Sequence, residues 1–184
     1  MSPSPSPSHA SQMLFQKEPP LLVGIGSAQG DDQIGWFVAE RLRERWSAVV
    51  QVRVTSVPLD LLDWITESTE LHIVDACDGN KSPGHLHRWD WLKEDDRQAD
   101  TSAEFLLRGT GTHDFDVVSV LELARRLGRL PQSVTIWGIQ GERWAESVSL
   151  SPTVAAMLPD VSEFIAKELV DARTITGTLA ADAG

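Results

Sequence analysis

Three aspartates and one histidine are of types that can hold a divalent ion or move a proton. Asp31 and Asp32 lie in G-I-G-S-A-Q-G-D-D-Q-I-G, residues 24–35, and Asp75 ends the apolar run L-H-I-V. His113 stands in G-T-G-T-H-D, after a glycine turn and before an expected helix. Imidazole and carboxylate oxygens suit a first-row divalent cation. Two carboxylates forced together split their pKa values and can work as an acid–base pair. Each residue taken singly also has an ordinary use. Asp31 and Asp32 complement a helix dipole, Asp75 caps a loop together with Asp78, and His113 is a loop or capping residue. His85 and His87 form an H-x-H pair at strand spacing, which can chelate but reads more simply as a solvated strand face. Cys77 has no C-x-x-C partner and reads as a small buried residue.

These residues must be positioned by the elements around them. Leu21 to Ile25 is a continuous apolar run, the signature of a strand covered on both faces. A glycine-rich turn follows, then a helix in which Ile34, Val38, Leu42 and Trp46 recur every four residues. Val50 to Val54 reads as the second strand. Leu59 to Ile65 reads as a short helix, and Leu71 to Val74 as the third strand, ending on Asp75. His85 to Trp89 alternates as a fourth strand, and Val134 to Gly138 is the fifth. Asp114 is expected to cap a helix from Phe115 to Leu127 that closes at Gly128. Ser151 and Pro152 read as a cap and first-turn proline. Pro159 is expected to break or restart that last helix, which runs to about Asp171. The loop from about 90 to 112 is longer than is usual without a function. Strands alternating with helices predict a three-layer α/β/α fold with a mostly parallel five-stranded sheet. In such sheets the working site lies beyond the carboxyl ends of the strands, the edge expected to carry Asp31, Asp32 and Asp75.

Composition narrows the function classes. The chain has 184 residues and a formal net charge of −11, which disfavours phosphate backbones and so nucleic acid. Its single cysteine excludes an internal disulfide, which fits a reducing compartment. No run approaches the roughly 20 apolar residues needed to span a bilayer. The start, M-S-P-S-P-S-P-S-H-A-S-Q, lacks the basic and apolar regions of a secretory signal, and a cytoplasmic location is expected. The expected organisation is a disordered Ser/Pro tail over 1–18, one domain over 19–171 and a flexible tail over 172–184. The glycine turn between strand and helix fits a dinucleotide site. Two observations oppose that reading. Asp31 and Asp32 stand where pyrophosphate would bind, and no acidic residue ends the second strand to hold a ribose.

Four blocks in order carry a family resemblance: L-L-V-G-I-G with G-D-D-Q-I-G-W-F-V-A-E-R-L; H-I-V-D-A-C-D-G with S-P-G-H-L-H-R-W; T-H-D-F-D-V-V-S-V-L-E-L-A-R-R-L-G-R-L-P; and S-V-T-I-W-G-I-Q with L-S-P-T-V-A-A-M-L-P. Over about residues 21 to 170 the chain resembles the hydrogenase maturation proteases. These endopeptidases remove the C-terminal extension of the [NiFe]-hydrogenase large subunit. The resemblance implies metal ligands at Asp32, Asp75 and His113. It implies that they grip nickel already carried by the substrate, or another divalent metal at the same place. It also implies an aspartic-type endopeptidase, with or without assistance from the metal, with Asp32 and Asp75 as catalytic residues, and a large-subunit precursor as partner. Asp31 is left with a modest dipole role. A monomer is expected. The alternative is a non-catalytic, chaperone-like module for the metallated subunit. The chain departs from the family pattern at Ser27, where asparagine is usual, in a first turn one residue shorter, and in G-I-Q-G at 138–141, where G-I-E-P is usual.

Overall fold

A computed structural model describes residues 18–66, 70–92, 116–144 and 149–181, with side chains up to residue 170. Five strands form one sheet: β1 (Leu21–Ile25), β2 (Gln51–Thr55), β3 (Glu70–Cys77), β4 (Leu86–Asp90) and β5 (Ser133–Gln140). The order is β2-β1-β3-β5-β4. β2, β1, β3 and β5 run parallel to one another, and β4 runs antiparallel to β5. The helices are α1 (Ile34–Trp46), α2 (Leu61–Trp64), α3 (Val117–Arg126) and α4 (Pro152–Ala181).

The fully buried strands explain their near-continuous apolar sequence: every residue of β1 and β3 is buried, as expected where helices cover both faces. One face holds Leu22, Val74, Ala76, Trp137 and Ile139 against Val38 and Leu42 of α1 and Val161 and Ile165 of α4. The other holds Val23, Ile73 and Ile136 against Leu61 of α2 and Val120 and Leu121 of α3. The expected three layers are therefore present.

Several boundaries differ from the sequence reading. β3 and β5 run past Val74 and Gly138 to Cys77 and Gln140, because each continues the ladder of the other. The cap of α3 is Asp116, whose Oδ1 accepts from Ser119 N–H at 2.6 Å. Asp114 and Phe115 lie outside the described residues, and the helix starts at Val117. Gly128 does close it, with a φ of 65° that a side chain would resist. Pro159 neither breaks nor restarts α4, which continues to Ala181. A helix-interior proline costs about 3 kcal/mol. Burial of Val154, Val161, Ile165, Ala166 and Leu169 along one stripe offsets it. The expected Ser/Pro tail, Glu18 apart, and the expected loop from about 90 to 112, beyond Leu92, lie outside the described residues. No described helix is long and apolar enough to cross a membrane.

The glycines of the first turn serve close packing. A Cβ on Gly35 would sit 2.1 Å from the Ile25 carbonyl oxygen, and one on Gly24 would sit 2.2 Å from the Gly35 carbonyl oxygen. The start of α1 is thereby pressed directly onto β1. Gly35→Ala is expected to cost about 3 kcal/mol, because backbone on both sides would have to part. Thermal melting checks it, and an unchanged melting temperature would contradict this packing.

Candidate active site

The carboxyl ends of β1 and β3 carry the acidic residues. After β1 the chain turns through Gly26 into a 3-10 turn at Gly30–Gln33, which leads straight into α1. The approach is tight: a Cβ on Gly26 would lie 1.9 Å from the Asp32 carbonyl oxygen. Asp32 is only 5% exposed. Its Oδ2 is buried with no hydrogen-bond partner among the described residues. Such an atom is costly unless something else meets it.

Asp75 is 4% exposed and receives one hydrogen bond, from Ala76 N–H to Oδ1 at 2.8 Å. Burial first, and then the charge of Asp32, hold its carboxyl well above the ordinary aspartate range. The charge of Asp32 therefore opposes ionisation of Asp75. Cys77, two residues on, shares that side: burial and the charges of Asp75 and Asp78 push its thiol up to about 12. A protonated thiol of this kind is a poor nucleophile.

The adjacent Asp31 has a different use. It is fully buried. Its Oδ2 accepts from Glu142 N–H at 2.8 Å, Arg143 N–H at 2.9 Å and the Ser151 hydroxyl at 2.9 Å, and its Oδ1 accepts from Ser151 N–H at 2.6 Å. Asp31 N–H in turn donates to the Arg143 carbonyl at 2.7 Å. Gly30, with φ of 51°, makes this possible, since a Cβ there would meet the same carbonyl at 2.3 Å. Burial raises the Asp31 pKa, but these hydrogen bonds outweigh it and the net shift is downward. The modest dipole role expected for Asp31 is corrected here. Its carboxylate ties the 3-10 turn to both ends of the β5–α4 connection. Nothing in a single sequence links residue 31 to residue 151, where the local signal is only a helix cap. Ser151 is that cap as well, its Oγ accepting from Val154 N–H at 3.4 Å.

Asp32 and Asp75 are both buried at the carboxyl edge of the sheet, and His113 lies outside the described residues. Among the described residues no three His, Cys, Asp or Glu side chains are grouped to hold an ion. His85 and His87 lie on the β4 side, their rings edge to face at 4.6 Å, with His87 stacked on Trp89 at 5.3 Å. Chemically, two desolvated carboxylates with an unmet oxygen suit a divalent cation or a shared proton.

The family model described as hydrogenase maturation protease matches residues 37–168. The fold is similar to that of the hydrogenase maturating endopeptidase HybD from E. coli, with TM-score 0.67 and 24% identity over 84% of this chain and 94% of that one. HybD from Thermococcus kodakarensis gives TM-score 0.61 and 19% identity over 83% and 99%. HycI from Thermococcus kodakarensis KOD1 gives TM-score 0.57 and 21% identity over 88% and 99%. No curated protein matches the sequence. The structural likenesses establish the shared α/β fold. With the family model covering most of the chain, including the Asp75 strand, the protein belongs to the hydrogenase maturation protease family.

Proposed function

We propose that this protein is an endopeptidase that removes the C-terminal extension of a [NiFe]-hydrogenase large-subunit precursor once that subunit carries nickel. The observation that carries the reading is the buried pair Asp32 and Asp75 at the carboxyl edge of the sheet. One oxygen of Asp32 is unmet among the described residues, and burial, followed by the charge of Asp32, raises the pKa of Asp75. Nickel belongs to the substrate, and it or another divalent ion would meet Asp32, Asp75 and His113. His113 enters on the family resemblance.

The chain's own residues supply the rest of the chemistry. A bound ion would polarise the scissile carbonyl or activate water; otherwise Asp75, which holds a proton unusually well, serves as the acid and Asp32 as the base toward water, an aspartic-type division of labour. Burial makes both interactions stronger than they would be in water. The clamp at Asp31 fixes the turn on which Asp32 sits. The enzyme works as a cytoplasmic monomer.

Incubating the purified chain with nickel-loaded precursor tests the reading, with mass spectrometry of the product. Release of a C-terminal fragment is expected. Stable binding without release would favour a chaperone-like module instead. A second expected result concerns pH. Nickel titration by calorimetry should show weaker binding at pH 5.5 than at pH 7.5, because imidazole takes up a proton near about 6.5. Equal affinity at both values would remove His113 from the ligand set.

A further inference from the structure

Gln140 ends β5 on the same side of the sheet as Asp75. In the parallel ladder Asp75 stands opposite Gly138 and Cys77 opposite Gln140, so these side chains share one face. A Cβ on Gly138 would lie 3.3 Å from Cys77 Sγ, which agrees with that assignment. The apolar rows of this face stop at Ile73 and Ile136, and the polar rows begin with Asp75. On the β4 side, Gly138 stands opposite His87, and the Gln140 backbone pairs with His85 and Gly84.

The Gln140 side chain is held but half used. It is 3% exposed. Its Nε2 donates to the Gly141 carbonyl at 3.1 Å. That bond fixes which end of the amide is which, because a carbonyl can accept only from the NH2 end. Oε1 is left buried with no partner among the described residues. A buried acceptor of this kind costs free energy until a donor arrives. The backbone N–H of an extended peptide is the donor that any polypeptide substrate brings.

We propose that Gln140 is a substrate-positioning residue whose Oε1 accepts a backbone N–H of the peptide near the bond to be cut. This rests on the endopeptidase reading above. Gln140 would then hold the chain on the β5 side while Asp32 and Asp75 act beside it. The bond forms on binding and persists through the reaction, so its loss should appear in KM and leave kcat unchanged.

The test uses the full chain and a nickel-loaded precursor, comparing wild type with Gln140→Leu and Gln140→Met. Both variants keep the volume and remove the acceptor. KM is expected to rise roughly tenfold in each, with kcat within about twofold. The melting temperature should change little, since the unmet buried oxygen goes while the Gly141 carbonyl loses its donor. Ester replacement of the critical peptide N–H in a synthetic extension peptide should weaken wild type and leave Gln140→Leu unaffected. Wild-type KM in both variants would overturn the proposal, as would ester substrates that weaken enzyme and variant equally. A lower melting temperature with unaltered KM would mark the residue as structural and also overturn it. If wild type does not cut the precursor at all, the endopeptidase reading fails, which is a different result from these.

Discussion

Asp75→Asn is expected to slow precursor processing on the order of 1,000-fold, because an amide neither holds an ion as a carboxylate does nor gives up a proton as a carboxylic acid does. The same substitution should raise thermal stability. Burial and the neighbouring Asp32 hold the Asp75 carboxyl above its ordinary range. A raised native pKa favours folding below the unfolded value of about 3.9, and that advantage is lost as pH rises through the native pKa. At pH 7 a carboxyl buried there beside Asp32 therefore lowers the stability of the fold. Asparagine removes the charge and can still accept from Ala76 N–H. A gain of about 1 kcal/mol corresponds to roughly 2–4 °C for a domain of this size. The gain should vanish as the solution is acidified toward pH 4. Melting curves at pH 7 and pH 4, beside mass spectrometry of the precursor, check both parts. A melting temperature that falls at pH 7 would show that Asp75 is a structural partner and not half of a repelling pair.

Asp31→Asn should act on the fold and only through it on the reaction. Its carboxylate accepts four hydrogen bonds, three of them from backbone N–H groups. An amide has one accepting oxygen, so at least one buried N–H is left facing an NH2 group. A loss of about 3 kcal/mol is expected. The sign against pH is opposite to that of Asp75. The Asp31 pKa is lowered in the native state, so its contribution is present above about pH 3.9 and lost as pH falls through the native value. Denaturant unfolding at pH 7 gives the size of the effect. Activity per folded molecule should recover where the variant is kept cold and folded. Unchanged stability would contradict the clamp.

The layers of this fold were legible in the sequence because fully covered parallel strands must be apolar throughout. Leu21 to Ile25 and the core of β3 show this at once. Strand ends were less legible. Cys77 and Gln140 extend β3 and β5 through pairing with one another, and neither residue favours a strand alone. Pro159 reads as a helix break because residue order shows its local cost and not the tertiary stripe that outweighs it. At the site, Asp32 and Asp75 could be placed on one edge from topology alone. The division between Asp31 and Asp32 could not, because it depends on contacts with residues 142–151, over a hundred positions away. The oxygens of Asp32 and Gln140 that find no partner among the described residues are likewise properties of the packed site and leave no trace in residue order.

The measurement that bears most directly on the central claim is single-turnover processing of one precursor in two forms, nickel-loaded and nickel-free, followed by intact mass spectrometry. Wild type should release the C-terminal extension from the nickel-loaded form only, and Asp32→Asn should release it from neither. Equal cleavage of both forms by wild type, or full-rate cleavage by Asp32→Asn, would contradict a metal-reading carboxylate pair at this edge of the sheet.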